Sequence, residues 1–129
     1  MYHILPELYY THEHEWLLLQ NGKARVGITD YAQKSLGDVV YLDFTARGRR
    51  VNQKEVVASI ESVKAVSEIF APLAGTITQV NENINRKPEL VNQDPYGQGW
   101  LFEMEELDLS GLGELLDAKK YEEFLKNLS

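Results

Sequence analysis

Val56-Val57-Ala58-Ser59-Ile60-Glu61-Ser62-Val63-Lys64-Ala65-Val66-Ser67-Glu68-Ile69-Phe70 sets two apolar, β-branched runs on either side of one lysine. Val56 to Ile60 and Ser67 to Phe70 read as short strands. Their similar lengths predict that Lys64 lies at or near a hairpin tip. The residue types around it are almost mirror-symmetric: Glu61 and Glu68 outermost, Ser62 and Ser67 next, Val63 and Val66 or Ala65 within. Turns favour Gly, Asn, Asp and Pro, so a lysine among small apolar residues is an unusual tip. Acylation of its amine would remove the charge and attach a long arm. The plain alternative is an ordinary solvated lysine.

Working outward, the same strand grammar recurs. Trp16 to Gln20, Asn21-Gly22 and Lys23 to Thr29 predict a hairpin, because Asn-Gly suits a tight turn with both residues at positive φ. Thr29 is a candidate N-cap for a short helix to Leu36, with Asp30 in its first turn and Gly37 to close it. Val39 to Phe44 is a further strand, followed by the turn Arg47-Gly48-Arg49-Arg50. Ala71-Pro72 breaks the strand ending at Phe70, and Ala74-Gly75 turns into Thr76 to Val80. Asn81 to Gly99 reads as a long polar loop with one helical turn near Glu89. Within it, Pro88 to Trp100 holds two prolines and two glycines and ends on an aromatic expected to be buried. Such a rigid loop serves either binding or structure. Trp100 to Met104 is the last strand. Ser110 is a candidate cap for a short helix through Leu116, and Asp117 for a final helix. In that helix Tyr121, Phe124, Leu125 and Leu128 form one apolar stripe. Many short strands and tight turns predict a mainly β fold, a small barrel or sandwich.

Length and charge bound the rest. The chain has 129 residues, enough for one domain with its own core. The expected domain is 1–129, with a core at about 10–104 and a helical C-terminal extension at about 108–128. There are 13 basic and 20 acidic residues, a net charge of −7. Glu103 to Ser129 holds eight acids and three bases. Such a balance argues against nucleic acid and against anionic membranes as partners. There is no cysteine, which removes disulfides, thiolate metal sites and a cysteine nucleophile. No apolar run of about 18 residues is present, and Met1 to Tyr10 lacks a basic start followed by an apolar stretch. A cytoplasmic protein is expected. His12 and His14, at i and i+2, would share a face on a strand. A metal would need a third ligand there, and Glu13 and Glu15 would point elsewhere, so no metal site is expected.

The motifs in order are His14-Glu15-Trp16, Val26-Gly27-Ile28-Thr29-Asp30-Tyr31-Ala32-Gln33, Leu36-Gly37-Asp38-Val39-Val40 and Glu61-Ser62-Val63-Lys64-Ala65. Ala71-Pro72, Gly75, Pro88-Glu89-Leu90-Val91-Asn92, Asp94-Pro95-Tyr96-Gly97 and Gly99-Trp100 follow. With these, the sequence resembles the H proteins of the glycine cleavage system, from about Tyr10 to about Leu125. The resemblance implies a lipoyl/biotinyl-type barrel-sandwich hybrid with short helices, including a C-terminal helix. It implies lipoic acid carried covalently on Lys64 as N6-lipoyl-lysine, on a protein that is not itself an enzyme. The implied partners are glycine decarboxylase (which uses pyridoxal phosphate), aminomethyltransferase, dihydrolipoamide dehydrogenase and a lipoate-attaching enzyme. Glu61, Ser62, Val63, Ala65 and Glu68 would be read by that last enzyme. Glu15, Ile28, Leu36 and Glu68 would line a cleft for the loaded arm, the two glutamates facing its cationic amine.

The sequence also departs from the family. Thr45-Ala46-Arg47-Gly48 stands where Pro-Glu-x-Gly is usual, and Lys54 stands in place of a glycine. Lys54 would be strained if its φ is positive. Arg47, Arg49 and Arg50 make a basic spot that would alter docking. The alternative is the same carrier serving another pathway, as a lipoyl donor or in sulfur redox metabolism. A biotin carrier is disfavoured because Val63 and Ala65 replace the usual methionines. A Schiff-base enzyme would need a desolvated lysine.

Overall fold

The computed structural model describes residues 2–128, so Met1 and Ser129, the ends of the expected domain span, lie outside the described residues. Nine strands, three α-helices and one 3-10 helix follow one another among these residues. They are β1 (Tyr9–Tyr10), β2 (Glu15–Gln20), β3 (Lys23–Ile28), α1 (Asp30–Leu36), β4 (Val39–Phe44), β5 (Arg50–Val51), β6 (Val56–Ser62), β7 (Val66–Phe70), β8 (Gly75–Val80), α2 (Glu89–Gln93) and β9 (Phe102–Glu105). The 3-10 helix Leu109–Glu114 and α3 (Ala118–Lys126) close the chain. A six-stranded sheet runs β1-β2-β3-β9-β8-β5, and a three-stranded sheet runs β4-β6-β7. All pairings are antiparallel.

The two sheets share one core. Leu17, Val26, Ile77, Phe102 and Met104 from the larger sheet meet Leu42, Ala58, Ile60 and Ile69 from the smaller. Strand alternation produces this arrangement: in β6 the neighbours of Ile60, Ser59 and Glu61, point to the other face. A second cluster sits under α3, where Tyr10 stacks on Tyr121 with ring centroids 4.5 Å apart. Trp16 belongs to it and donates from Nε1 to the Pro95 carbonyl at 2.9 Å. Gly27 pairs opposite Trp16, and a Cβ there would lie 2.7 Å from the indole. Only glycine leaves the ring room to lie across β3.

The punctuation works as expected at several points. Asn21 and Gly22 both take positive φ and register β2 against β3. Thr29 caps α1 by accepting from the Ala32 amide, and Gly37 closes it at φ +77°. Asp117 caps α3 by accepting from the Lys120 amide.

Other expectations are corrected. β1 and β5 are two-residue strands with no local signal, held only by distant partners. Trp100 is half-buried and precedes β9, with the Arg25 guanidinium 4.5 Å over its ring; the buried tryptophan is Trp16. Asp108, not Ser110, caps the element after β9, which is a 3-10 helix; its carboxylate accepts from the Ser110 amide. Leu128 lies past the end of α3 and is exposed, so the apolar stripe stops at Leu125. His12 and His14 sit in a turn before β2 rather than on a strand, with His14 at φ +71°. His14 Nδ1 lies 2.9 Å from the Tyr121 hydroxyl, which in turn is 2.7 Å from Thr29 Oγ1. Those contacts tie the turn to α3 and α1. Burial and the neighbouring His12 push the His14 pKa down.

Candidate functional site

The lysine hairpin is set by the register of β6 and β7. Glu61 pairs with Val66, Ile60 with Ser67 and Ser59 with Glu68. The Ser62 amide donates to the Ala65 carbonyl at 2.8 Å. Val63 and Lys64 are therefore the two residues enclosed by the bond between Ser62 and Ala65, and Lys64 stands at the tip. The mirror expected around Lys64 is offset: Glu68 lies across from Ser59, not from Glu61. Closure of the tight turn fixes the pairing, and symmetry of residue type does not.

Neither tip residue needs a positive φ, so the turn needs no glycine. Ser62 organises it. Its buried hydroxyl accepts from the amides of Lys64 (3.3 Å) and Ala65 (3.1 Å) and donates to the Ala65 carbonyl (3.2 Å). The Val63 amide donates to the Asp38 carbonyl at 2.9 Å, which braces the tip against the α1–β4 connection. Val63, Lys64 and Ala65 are all exposed. The Lys64 stem lies over Gly37, where a Cβ would meet its Cε at 3.3 Å. No hydrogen bond or ion pair among the described residues holds the Lys64 amine. The result is a rigid backbone carrying a slim, unencumbered amine.

A cavity of about 580 Å³ opens beside the outer end of β7. Glu15, Thr11, Phe70, Pro72, Leu115 and Lys120 are among its lining residues. Glu15 is 1% exposed. Its carboxylate accepts from the Thr11 hydroxyl at 2.5 Å and from the Phe70 amide at 3.1 Å. Phe70 ends an edge strand, so Glu15 satisfies an amide that no strand covers and ties the two sheets together. Burial outweighs these hydrogen bonds and pushes the Glu15 pKa up to about 7.

The four residues expected around the arm are only partly brought together. Glu15 lines the cavity. Ile28 pairs opposite Glu15 but is sealed in the core, because it is the inward residue of β3; it does not line the cavity. Leu36 is half-buried against the same core. Glu68 is exposed on β7 and shares a strand face with Phe70, nearer the tip. Thr11 and Phe70 were missed in the sequence, since neither residue type announces a carboxylate partner. Lys54 does take φ +71°, and its amine reaches Glu114 at 2.9 Å. Two of the three arginines of the basic spot pair with carboxylates, Arg47 with Glu82 and Arg49 with Glu55, while Arg50 donates to the Glu106 carbonyl. No cluster of metal-ligating side chains occurs among the described residues, and none of their helices is long and apolar enough to cross a membrane.

Two sheets around a common core, with a bare lysine at the tip of a two-residue hairpin, define a lipoyl/biotinyl-type carrier domain of the barrel-sandwich kind. The family model described as "Glycine cleavage H-protein" matches residues 8–128. The glycine cleavage system H protein of Thermotoga maritima is 54% identical over 115 residues, covering 89% of this chain and 93% of that one. That of Thermus thermophilus is 52% identical over 124 residues, covering 96% and 97%. The crystal structure of the H protein from Mycobacterium marinum superposes with a TM-score of 0.82 at 36% identity, covering 92% and 95%. The chain belongs to the glycine cleavage H-protein family. Its role is that of a lipoyl carrier in the glycine cleavage system, a component that is not itself a catalyst.

Proposed function

We propose that Lys64 is the lipoylated residue and that this single carrier domain presents the arm in turn to the enzymes of glycine cleavage. The observation that carries this is the tip: an exposed lysine on a braced two-residue turn, with no partner for its amine among the described residues. Attachment joins Nζ of the unprotonated amine to the acyl carbon of an activated lipoyl donor. The bond from that carbon to the donor's leaving group breaks, the leaving group departs with the electron pair, and the amine proton passes to solvent. Once attached, the lipoyl group supplies a reducible sulfur pair to which an aminomethyl group can be joined. Glycine decarboxylase is the source of that group, aminomethyltransferase its recipient, and dihydrolipoamide dehydrogenase restores the disulfide. A lipoate-attaching enzyme acts first and reads Glu61, Ser62, Val63, Ala65 and Glu68. The carrier works with these enzymes in the cytoplasm, a reducing interior that a chain without cysteine fits.

The chain's own residues supply position and shelter. Ser62 and Asp38 hold the tip so that the arm's root keeps one geometry. Tethering raises the effective concentration of the arm at each partner's site. The surface along β7 and the cavity at its end would hold a loaded arm between transfers. Glu68 stands on the way, and Glu15 waits in the cavity beside Phe70. A cationic amine arriving at Glu15 favours the carboxylate form and lowers its raised pKa. Leu36 contributes apolar surface near the root. The test is glycine decarboxylation with the lipoylated protein as acceptor. Carbon dioxide release should be proportional to the lipoylated carrier and absent with Lys64→Arg. Equal release with the variant would refute Lys64 as the bearer of the arm.

A further inference from the structure

Strand alternation should leave one exposed and one buried residue in turn along β4. At Val40 it fails. Val39 pairs with Ser62 and Tyr41 with Glu61, so β4 carries one extra residue there. Val40 and Tyr41 both end up exposed, at 43% and 50%. The bulge lies directly behind the lysine tip. Tyr41 neighbours Glu61 on β6, and Glu61 neighbours Val66 on β7, so the three form one row across the outer face of the small sheet. Val66 is 69% exposed and Val63, beside Lys64, is 67% exposed. Four of the seven large apolar side chains exposed among the described residues thus fall on the lysine hairpin or on the strand paired with it. Nothing in the fold requires this, and apolar patches of this kind mark contact sites. Glu61 sits in the middle of the row with no ion-pair partner among the described residues.

We infer that Val40, Tyr41, Val63 and Val66, with Glu61 at their centre, form the docking face for the enzyme that acylates Lys64. This rests on Lys64 being the attachment residue. Chemistry selects that partner over the others. An enzyme that forms a bond to Nζ must bring its own surface against the residues within one side chain of Lys64. Enzymes acting on the far end of the arm need no such approach. The partner's mouth should be apolar with a basic group placed for Glu61, which complements a carrier of net charge −7. The face extends the recognition element beyond the hairpin to β4, a strand that lies far from Lys64 in sequence.

The test compares Tyr41→Ser and Val66→Ser with wild type as substrates of a lipoate–protein ligase, using lipoate and ATP and reading the mass of the product. Leu109→Ser, an exposed apolar site on the 3-10 helix, is the control. Thermal melts verify that each variant is folded. For each face variant, kcat/KM for lipoylation should fall by about tenfold, mainly through KM, as for hot-spot residues at an interface. Leu109→Ser should stay within about twofold, as for a residue outside an interface. Face variants lipoylated by prolonged incubation should still be reduced by dihydrolipoamide dehydrogenase at the wild-type rate. Wild-type lipoylation kinetics in both folded face variants would overturn the inference while leaving Lys64 as the site. No modification of Lys64 in the wild type would overturn both.

Discussion

Replacing Glu15 by Gln removes a carboxylate that the fold buries without a cation. Burial raises its pKa from an ordinary 4.5 to about 7, so the folded state holds this proton more tightly than the unfolded chain does. The sign follows from proton counting. Below pH 4.5 both states are protonated and the contribution to stability is fully present. Between pH 4.5 and 7 the unfolded chain loses its proton first, and the contribution is lost as pH rises. A displacement of this size corresponds to about 3 kcal/mol across that window. His14 acts in the opposite direction, because its lowered pKa makes the folded state gain stability as pH rises towards neutrality. The difference between wild type and Glu15→Gln at each pH cancels that term. Urea unfolding at pH 5, 6, 7 and 8 measures it. Relative to the variant, the wild type should lose stability from pH 5 to 7 and level off by pH 8. Two curves that stay parallel from pH 5 to 8 would refute the claim that Glu15 is held protonated by burial.

Further consequences are local. Gly27→Ala drives a methyl into the Trp16 indole, which is pinned by its bond to Pro95, and should destabilise by about 1–3 kcal/mol in chemical unfolding. Ser62→Ala removes the one hydroxyl that accepts from both the Lys64 and Ala65 amides at the tip; it should lower stability by about 1 kcal/mol and slow lipoylation together, as read by thermal melting and product mass. Lys54→Gly relieves a left-handed residue at the expense of an exposed ion pair to Glu114, so the free energy of unfolding should rise, by about 1 kcal/mol at most, as read by urea unfolding.

Short-range chemistry was the legible part of this chain. Asn21-Gly22, Thr29 with Gly37, and Asp117 each act through a partner within four residues, and each behaves as its residue type dictates. The lysine tip was legible for the same reason, since its strands flank it directly. What stayed hidden depends on residues far apart in the chain. β1 and β5 exist only because distant strands pair with them. The burial of Glu15 depends on Phe70, 55 residues later. Which tryptophan is buried is decided by Gly27 and Pro95, not by the sequence around either ring. The β4 bulge that exposes Tyr41 leaves no trace in a run reading Val39-Val40-Tyr41-Leu42.

The attachment of one lipoyl group at Lys64 is tested most directly by intact mass with peptide mapping. The protein is taken from lipoate-supplied cells and compared with Lys64→Arg. Wild type should gain one lipoyl group, mapped to the peptide containing Lys64, and the variant none. An unmodified wild type after treatment with a competent ligase, or a lipoyl group mapped to another lysine, would contradict the account.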